Sequence, residues 1–338
     1  MHGYVRNIDE YPNHSVCQNK QGGFSFTPVA VPNYPFRITY RDTSVWIGSC
    51  FTSNIGEAMK LLKFHCEVNP FGALYNPASI LLALKMLLER KLLSSEDLFE
   101  FNELWSSFYF HSSFSDIDRS KALEKMNKQL SVASDKLYSA KYLFVTFGTA
   151  YVFRLKTSGE IVGNCHKLPL TNFEHYCLSV DETVNQYIDF VNDIAQILPK
   201  LKIIFSISPI RHLKDGAHNN QISKSILLLA VDKLTKLFSD RCFYFPAFEI
   251  VLDELRDYRF YEKDLCHLSE TTIDYVKMLF INSIVDEQDK KIMKEIEKLN
   301  LARAHRPLNT DTSIYKKFLT NTDKKEIELK KQYPHLDW

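Results

Sequence analysis

Residues 44–63 read Ser44-Val45-Trp46-Ile47-Gly48-Ser49-Cys50-Phe51-Thr52-Ser53-Asn54-Ile55-Gly56-Glu57-Ala58-Met59-Lys60-Leu61-Leu62-Lys63. The run 44–47 is short and apolar, the pattern of a buried strand. Over 54–63 the apolar residues Ile55, Ala58, Met59, Leu61 and Leu62 fall at helical spacing. Gly48-Ser49 joins the two, so the first unit is strand, sharp turn, helix.

The same alternation continues outward from this unit. Residues 64–68 give a second strand, and Asn69-Pro70-Phe71-Gly72 has the turn chemistry of a loop. Pro77 opens a helix over 78–90. Helical stretches are expected over 95–107, capped by Ser94-Ser95-Glu96-Asp97, and over 120–138. Residues 142–146 form a third strand, and 151–155 with 160–162 a small hairpin around Ser158-Gly159. A helix over 180–198, a fourth strand over 202–208, a helix over 220–238, a fifth strand over 242–245 and a helix over 269–280 complete the series. Strands alternating with helices imply parallel pairing with helices on both faces. Ligands of such sheets bind outside the carboxyl ends of the strands. That directs attention to Ser49, Gly72, Gly148, Arg211 with His212, and the loop beyond Phe245.

The ends read differently. Residues 1–23 are polar and turn-rich and close on Gly22-Gly23, as expected of a loose arm. Residues 24–283 form the α/β body, which begins with an extended piece over 36–40. Residues 284–338 are rich in Lys, Glu and Asp, with two helical stretches parted by His305-Arg306-Pro307. They read as a peripheral helical extension, most simply a solvated surface pair, otherwise a cover for a rim or an oligomer interface.

Bulk properties narrow the function. A hydrophobic fraction of 45% in 338 residues supports a large core and argues against a disordered body. With 42 basic and 41 acidic side chains, the chain has no electrostatic footprint for nucleic acid and none for an anionic membrane. No apolar run is long enough to span a bilayer. The stretch MHGYVRNIDEYPNHS lacks the basic start and apolar core of a signal peptide. Seven cysteines without paired spacing fit free thiols in a cytoplasmic chain.

A serine on a strand-to-helix turn presents its hydroxyl away from the sheet, where backbone N–H groups at the helix N-terminus can meet an oxyanion. The plain alternative for Ser49 is an ordinary N-cap residue. Cys50 is a rival nucleophile, but neighbours on a sharp turn point apart, so Cys50 is expected to pack beneath Ser49. A serine nucleophile needs an imidazole, and the imidazole needs an acid to orient it. Asp264-Leu265-Cys266-His267 supplies both, in the last loop before a closing helix. D-x-x-H also arises by chance, and Asp215-Gly216-Ala217-His218 is a second instance, read as a loop turn with a rim histidine. Arg211 and His212, after the fourth strand, are candidate substrate-binding groups. Asn164 and His166, after the hairpin, are candidates for an oxyanion donor and a substrate contact. The chain has no G-x-S-x-G elbow, phosphate loop, dinucleotide-binding glycine pattern, H-E-x-x-H or C-x-x-C. No metal or cofactor is expected.

Gly48-Ser49-Cys50-Phe51 resembles the signature of the GSCFA-domain proteins, a largely bacterial family grouped with the SGNH/GDSL-like hydrolases. Asn69-Pro70-Phe71-Gly72, Tyr75-Asn76-Pro77, Thr146-Phe147-Gly148-Thr149-Ala150, Asn164-Cys165-His166-Lys167, Ser208-Pro209-Ile210-Arg211-His212 and Asp264-Leu265-Cys266-His267 resemble its later blocks, in order. The resemblance implies a three-layer α/β/α fold with a mainly parallel five-stranded sheet of SGNH (flavodoxin-like) type. It implies Ser49 as nucleophile with its own N–H in the oxyanion hole, Gly72 as a second donor, His267 as base and Asp264 as its orienter. The chain departs from the pattern at Thr52, for alanine, and at Leu268, for a frequent proline. It departs more seriously after the third strand, where Gly148-Thr149-Ala150 stands in place of G-x-N-D. Asn164 or His166 is the expected substitute for the missing asparagine.

The function expected is hydrolysis of an acyl ester on a small molecule or a carbohydrate. The alternatives are O-acyl transfer at the same site and a non-catalytic binding module that kept the fold. The oligomeric state is open.

Overall fold

Thr43–Gly48 (β1) is buried from Ser44 onward and pairs in parallel with both of its neighbours, so its residues face helices on two sides. The other strands of the central sheet are His65–Val68 (β2), Ala140–Phe147 (β3), Lys202–Ile207 (β4) and Cys242–Phe245 (β5). All pairings are parallel, and the spatial order is β2-β1-β3-β4-β5, the flavodoxin-like order. In this order the chain reverses direction across the sheet between β1 and β3, and ligand crevices open at such a point. The structure, a computed structural model, describes residues 27–338 and the short antiparallel backbone pairing of Cys17–Gln18 with Ser25–Phe26. The arm expected over 1–23 otherwise lies outside the described residues.

Side chains alternate across the sheet and define two cores. Val45, Ile47, Val145, Phe147, Phe205 and Ile207 face one layer, built from Pro77–Leu88 (α2), Arg119–Ser139 (α3), Val180–Ile197 (α4) and Ala217–Leu237 (α5). Trp46, Phe144, Ile204 and Phe245 face the other. That second layer holds Cys50–Leu61 (α1) and Glu270–Ile284 (α6), and Trp46 stacks on Phe144 with centroids 3.8 Å apart. The result is a three-layer α/β/α sandwich. The helix boundaries follow local chemistry: Asn76 caps α2 ahead of Pro77, and Ser179 with Glu182 forms a capping box on α4.

Two elements differ from expectation. Over 95–107 there is no long helix. The Ser94–Asp97 capping box closes a single turn, and Phe99–Phe101 then pairs with Leu104–Ser106 around Asn102 and Glu103. Both of these turn residues have positive φ, the conformation of a tight hairpin. The hairpin expected after β3 gains a third strand, Phe173–Cys177, which pairs with Tyr151–Leu155. The small sheet this makes stands at the carboxyl end of the central one.

The C-terminal helices Glu287–Ala304 (α7) and Ser313–Gln332 (α8) are charged outside, but each buries one stripe. Met293, Ile296, Leu299 and Leu329 belong to the second core. No described helix is long and apolar enough to cross a membrane.

Candidate active site

A cavity of about 410 Å³ opens at the carboxyl ends of β1, β3 and β4, within the usual size of small-molecule sites. Ser49 lies at its floor. Gly48 has φ +150°, and a Cβ there would sit 2.3 Å from the carbonyl oxygen of Thr146, so only glycine allows this turn against β3. Asn69 straps the turn from β2. Its Oδ1 accepts from the Gly48 N–H at 2.8 Å, and its Nδ2 donates to Ser49 O at 3.4 Å and to Ser53 Oγ at 2.7 Å.

Ser49 is the N-cap residue of α1, yet its side chain makes no capping bond. Its Oγ is buried and has no hydrogen-bond partner among the described residues, a state shared by Thr52 Oγ1 and Ser134 Oγ. A buried hydroxyl left unpaired is costly. Cys50 does not pack beneath Ser49. It also lines the cavity, with Sγ 3.3 Å from the Tyr75 hydroxyl.

The late loop brings His267, with Asp264 beside it, to the same cavity. Asp264 Oδ1 accepts from the backbone N–H groups of Cys266 and His267 at 2.9 Å each, and Oδ2 lies 2.6 Å from His267 Nδ1. The bond to the imidazole, with those two N–H groups, pulls the Asp264 carboxyl down to about 2. Leu268, 4% exposed, anchors the loop in the second core, and the Glu262 N–H donates to His267 O. The His267 side chain is 55% exposed, borders the same cavity as Ser49, and makes no hydrogen bond to it.

A second imidazole, that of His212, also lines the cavity with the serine. The His212 backbone N–H is held by Asn220 Oδ1 at 2.9 Å, and the ring meets Tyr75 edge-on. Its Nε2 is buried and, like Ser49 Oγ, has no partner among the described residues. A Cβ built on Gly148 would be 3.3 Å from His212 Nε2 and 3.5 Å from Ser49 Cβ, so the two residues flank one glycine. Burial, then the charges of Lys224 and His267, push the His212 imidazole down to about 4.

Lys224 was not anticipated. It is 1% exposed, and its Nζ donates to Gly148 O and Ser208 O at 2.6 Å each, tying the ends of β3 and β4 behind the cavity. Burial, reinforced by Arg211, pushes its amine down to about 7. A signal was present: Lys224 falls on the buried stripe of α5 that includes Ser223, Leu227, Val231 and Leu234.

Several expected roles change. Gly72 is not a free oxyanion donor. Its N–H donates to Asn69 O at 2.7 Å, and its Cα faces His111, 2.2 Å from where a Cβ would stand. It closes the loop that carries Asn69. His166 is not a substrate contact, because its Nε2 is bonded to Ser107 O at 2.8 Å and its ring packs against Phe99 and Phe108, away from the cavity. Asn164 does line the cavity, with Oδ1 engaged by the His166 N–H. Arg211 lines it too, beside Tyr261. Asp215 does not pair with His218. It faces the cavity 3.7 Å from His175, whose ring stacks on Phe153 at 4.3 Å.

An α/β/α protein with an unpaired serine, an acid-oriented histidine and a cavity between them at the sheet's reversal point is the class these features define. The chain belongs to the GSCFA family, whose profile matches residues 44–280, and the C-terminal domain of GSCFA domain proteins matches residues 296–338. No curated protein and no solved structure matches the chain.

Proposed function

We propose that the chain is a serine-dependent hydrolase of SGNH/GDSL-like type that cleaves an acyl ester. One observation carries this reading: Ser49 occupies the N-cap of α1 without capping it, and its Oγ, unpaired among the described residues, belongs to a cavity that His267 also lines. Ser49 Oγ attacks the ester carbonyl and passes its proton to Nε2 of His267. The carbonyl π pair moves onto the oxygen. When the tetrahedral species collapses, His267 returns the proton to the departing alcohol, and water repeats the sequence on the acyl-enzyme. Asp264 holds Nδ1–H, which fixes the tautomer that leaves Nε2 ready to accept. The exposed position of the His267 loop supports a closing movement when substrate fills the cavity; relay contacts often tighten only in the complex.

The cavity is lined by the aromatic side chains of Tyr151, Phe153 and His175 beside polar groups such as Asn164, Arg211 and Asp215. That mixture favours a carbohydrate as the alcohol part, since a sugar offers C–H groups to aromatic rings and hydroxyls to polar neighbours.

The test is covalent. A fluorophosphonate probe is expected to label Ser49, identified by peptide mass spectrometry, and short-chain 4-nitrophenyl esters are expected to turn over. Equal turnover by Ser49→Ala would exclude the assignment, and an unlabelled protein without turnover would favour a binding module.

A further inference from the structure

We propose that His212 supplies the oxyanion hydrogen bond that the absent third-block asparagine would have made, donating from Nε2–H to the carbonyl oxygen as Ser49 attacks. The proposal rests on the ester-cleaving reading of Ser49. It starts from two atoms: Ser49 Oγ and His212 Nε2 are both buried without partners among the described residues. They flank Gly148, the first residue of Gly148-Thr149-Ala150, where the sequence lacks its asparagine. An acyl carbon bonded to Ser49 Oγ therefore has its oxygen near an imidazole nitrogen with nothing else to bond.

The ring is built for a fixed direction. Asn220 holds its backbone, Tyr75 stands edge-on to it, and Lys224 braces Gly148 and Ser208 behind it. Several other candidates are engaged elsewhere: the Gly148 and Thr149 N–H groups donate to Tyr75 O, the Gly72 N–H donates to Asn69 O, and His166 is bonded to Ser107 O, while Asn164 lines the cavity with its Oδ1 held by the His166 N–H.

The same surroundings separate the two imidazoles by role. A base must accept a positive charge. Burial and the nearby Lys224 keep His212 uncharged, so it serves poorly as base, but it can donate a hydrogen bond without changing its charge. His267, paired with Asp264 on the exposed rim, is suited to carry the proton. In the step itself the Oγ–C bond forms, the carbonyl π pair moves to oxygen, and the Oγ proton goes to His267. His212 gains and loses none.

The test compares His212→Ala and His212→Gln with wild type on 4-nitrophenyl butyrate, measuring kcat, KM and the pH profile. The expected result for His212→Ala is a fall in kcat of roughly 10²–10³-fold, the usual loss for one oxyanion donor. KM stays nearly constant and the acid limb keeps its position. Glutamine, which retains an N–H donor, recovers at least about tenfold of the loss and gives a second measurement if alanine loosens the fold. An unchanged kcat, a displaced acid limb, or glutamine no better than alanine overturns the proposal. Wild type lacking Ser49-dependent turnover overturns the ester reading with it. An unaffected His212→Ala in a protein with such turnover overturns this assignment alone.

Discussion

Asp264 and His267 are joined at 2.6 Å between Oδ2 and Nδ1, and the same carboxylate accepts the backbone N–H groups of its own loop. The pair is thus set before substrate arrives. Asp264→Asn is expected to lower kcat by roughly 10²–10⁴-fold through the wrong tautomer. The thermal midpoint should change little, because both side chains are about half exposed. The carboxyl is depressed to about 2, so the pairing contributes above the ordinary aspartate value and is lost only as pH falls through about 2. Circular dichroism between about pH 7 and 5 should therefore stay flat, because the Asp264 pairing is intact throughout that range.

The second D-x-x-H is expected to be dispensable for turnover. Asp215 faces His175 rather than the serine, so Asp215→Asn should leave kcat within about threefold of wild type, in contrast to Asp264→Asn, and should act mainly on KM. Steady-state kinetics on one ester distinguishes the two motifs.

Ser49→Ala is expected to abolish turnover and also to stabilise the protein. Removing a buried hydroxyl that has no partner relieves about 1 kcal/mol of desolvation. Urea midpoints of the two proteins check the sign.

Lys224→Met should do the reverse. It leaves Gly148 O and Ser208 O without their donor, at roughly 2–5 kcal/mol for two buried acceptors. The amine is lowered to about 7 when folded. Between that value and the ordinary lysine range of about 10.4, the unfolded chain holds the extra proton, so stability rises with pH. From pH 7.5 to 9.5 wild type should gain on the order of 2 kcal/mol relative to Lys224→Met. Urea titrations at the two pH values measure this difference.

Gly148→Ala would place a methyl 3.1 Å from Tyr75 O and 3.3 Å from His212 Nε2. Displacement of the ring by a few tenths of an ångström should reduce kcat by about tenfold or more. The melting temperature should drop far less than the rate, and parallel thermal and kinetic measurements test that split.

The layers and the sheet were legible in the sequence because 44–47, 142–146 and 202–208 are apolar on both faces, as only a buried parallel strand requires. Ser49 and the Asp264–His267 pair were legible because each sits just beyond a strand or in the last loop. The 95–107 segment misled because Ser94 and Asp97 do cap a helical turn. What ends that turn is the alternation Phe99-Glu100-Phe101 and the packing of Phe99 on Phe108, a tertiary effect. Gly72 misled because its position matches a donor, whereas the direction of its N–H is fixed by the turn with Asn69. Lys224 and the Asp215–His175 contact join residues 76 and 40 positions apart, and no spacing rule foretells such pairs.

The helices that begin at Ser49 and just past His267 pack on the same side of the central sheet. The three-stranded patch bearing Tyr151, Phe153 and His175 is an insertion between β3 and α4. On the ester-cleaving reading proposed above, the ring-bearing insert and the turns that carry Ser49 and His267 belong to separate parts of the scaffold, while Arg211 and Asp215 join the cavity from the loop after β4. Grafting the insert between relatives is then expected to alter specificity while Ser49 and His267 keep their places.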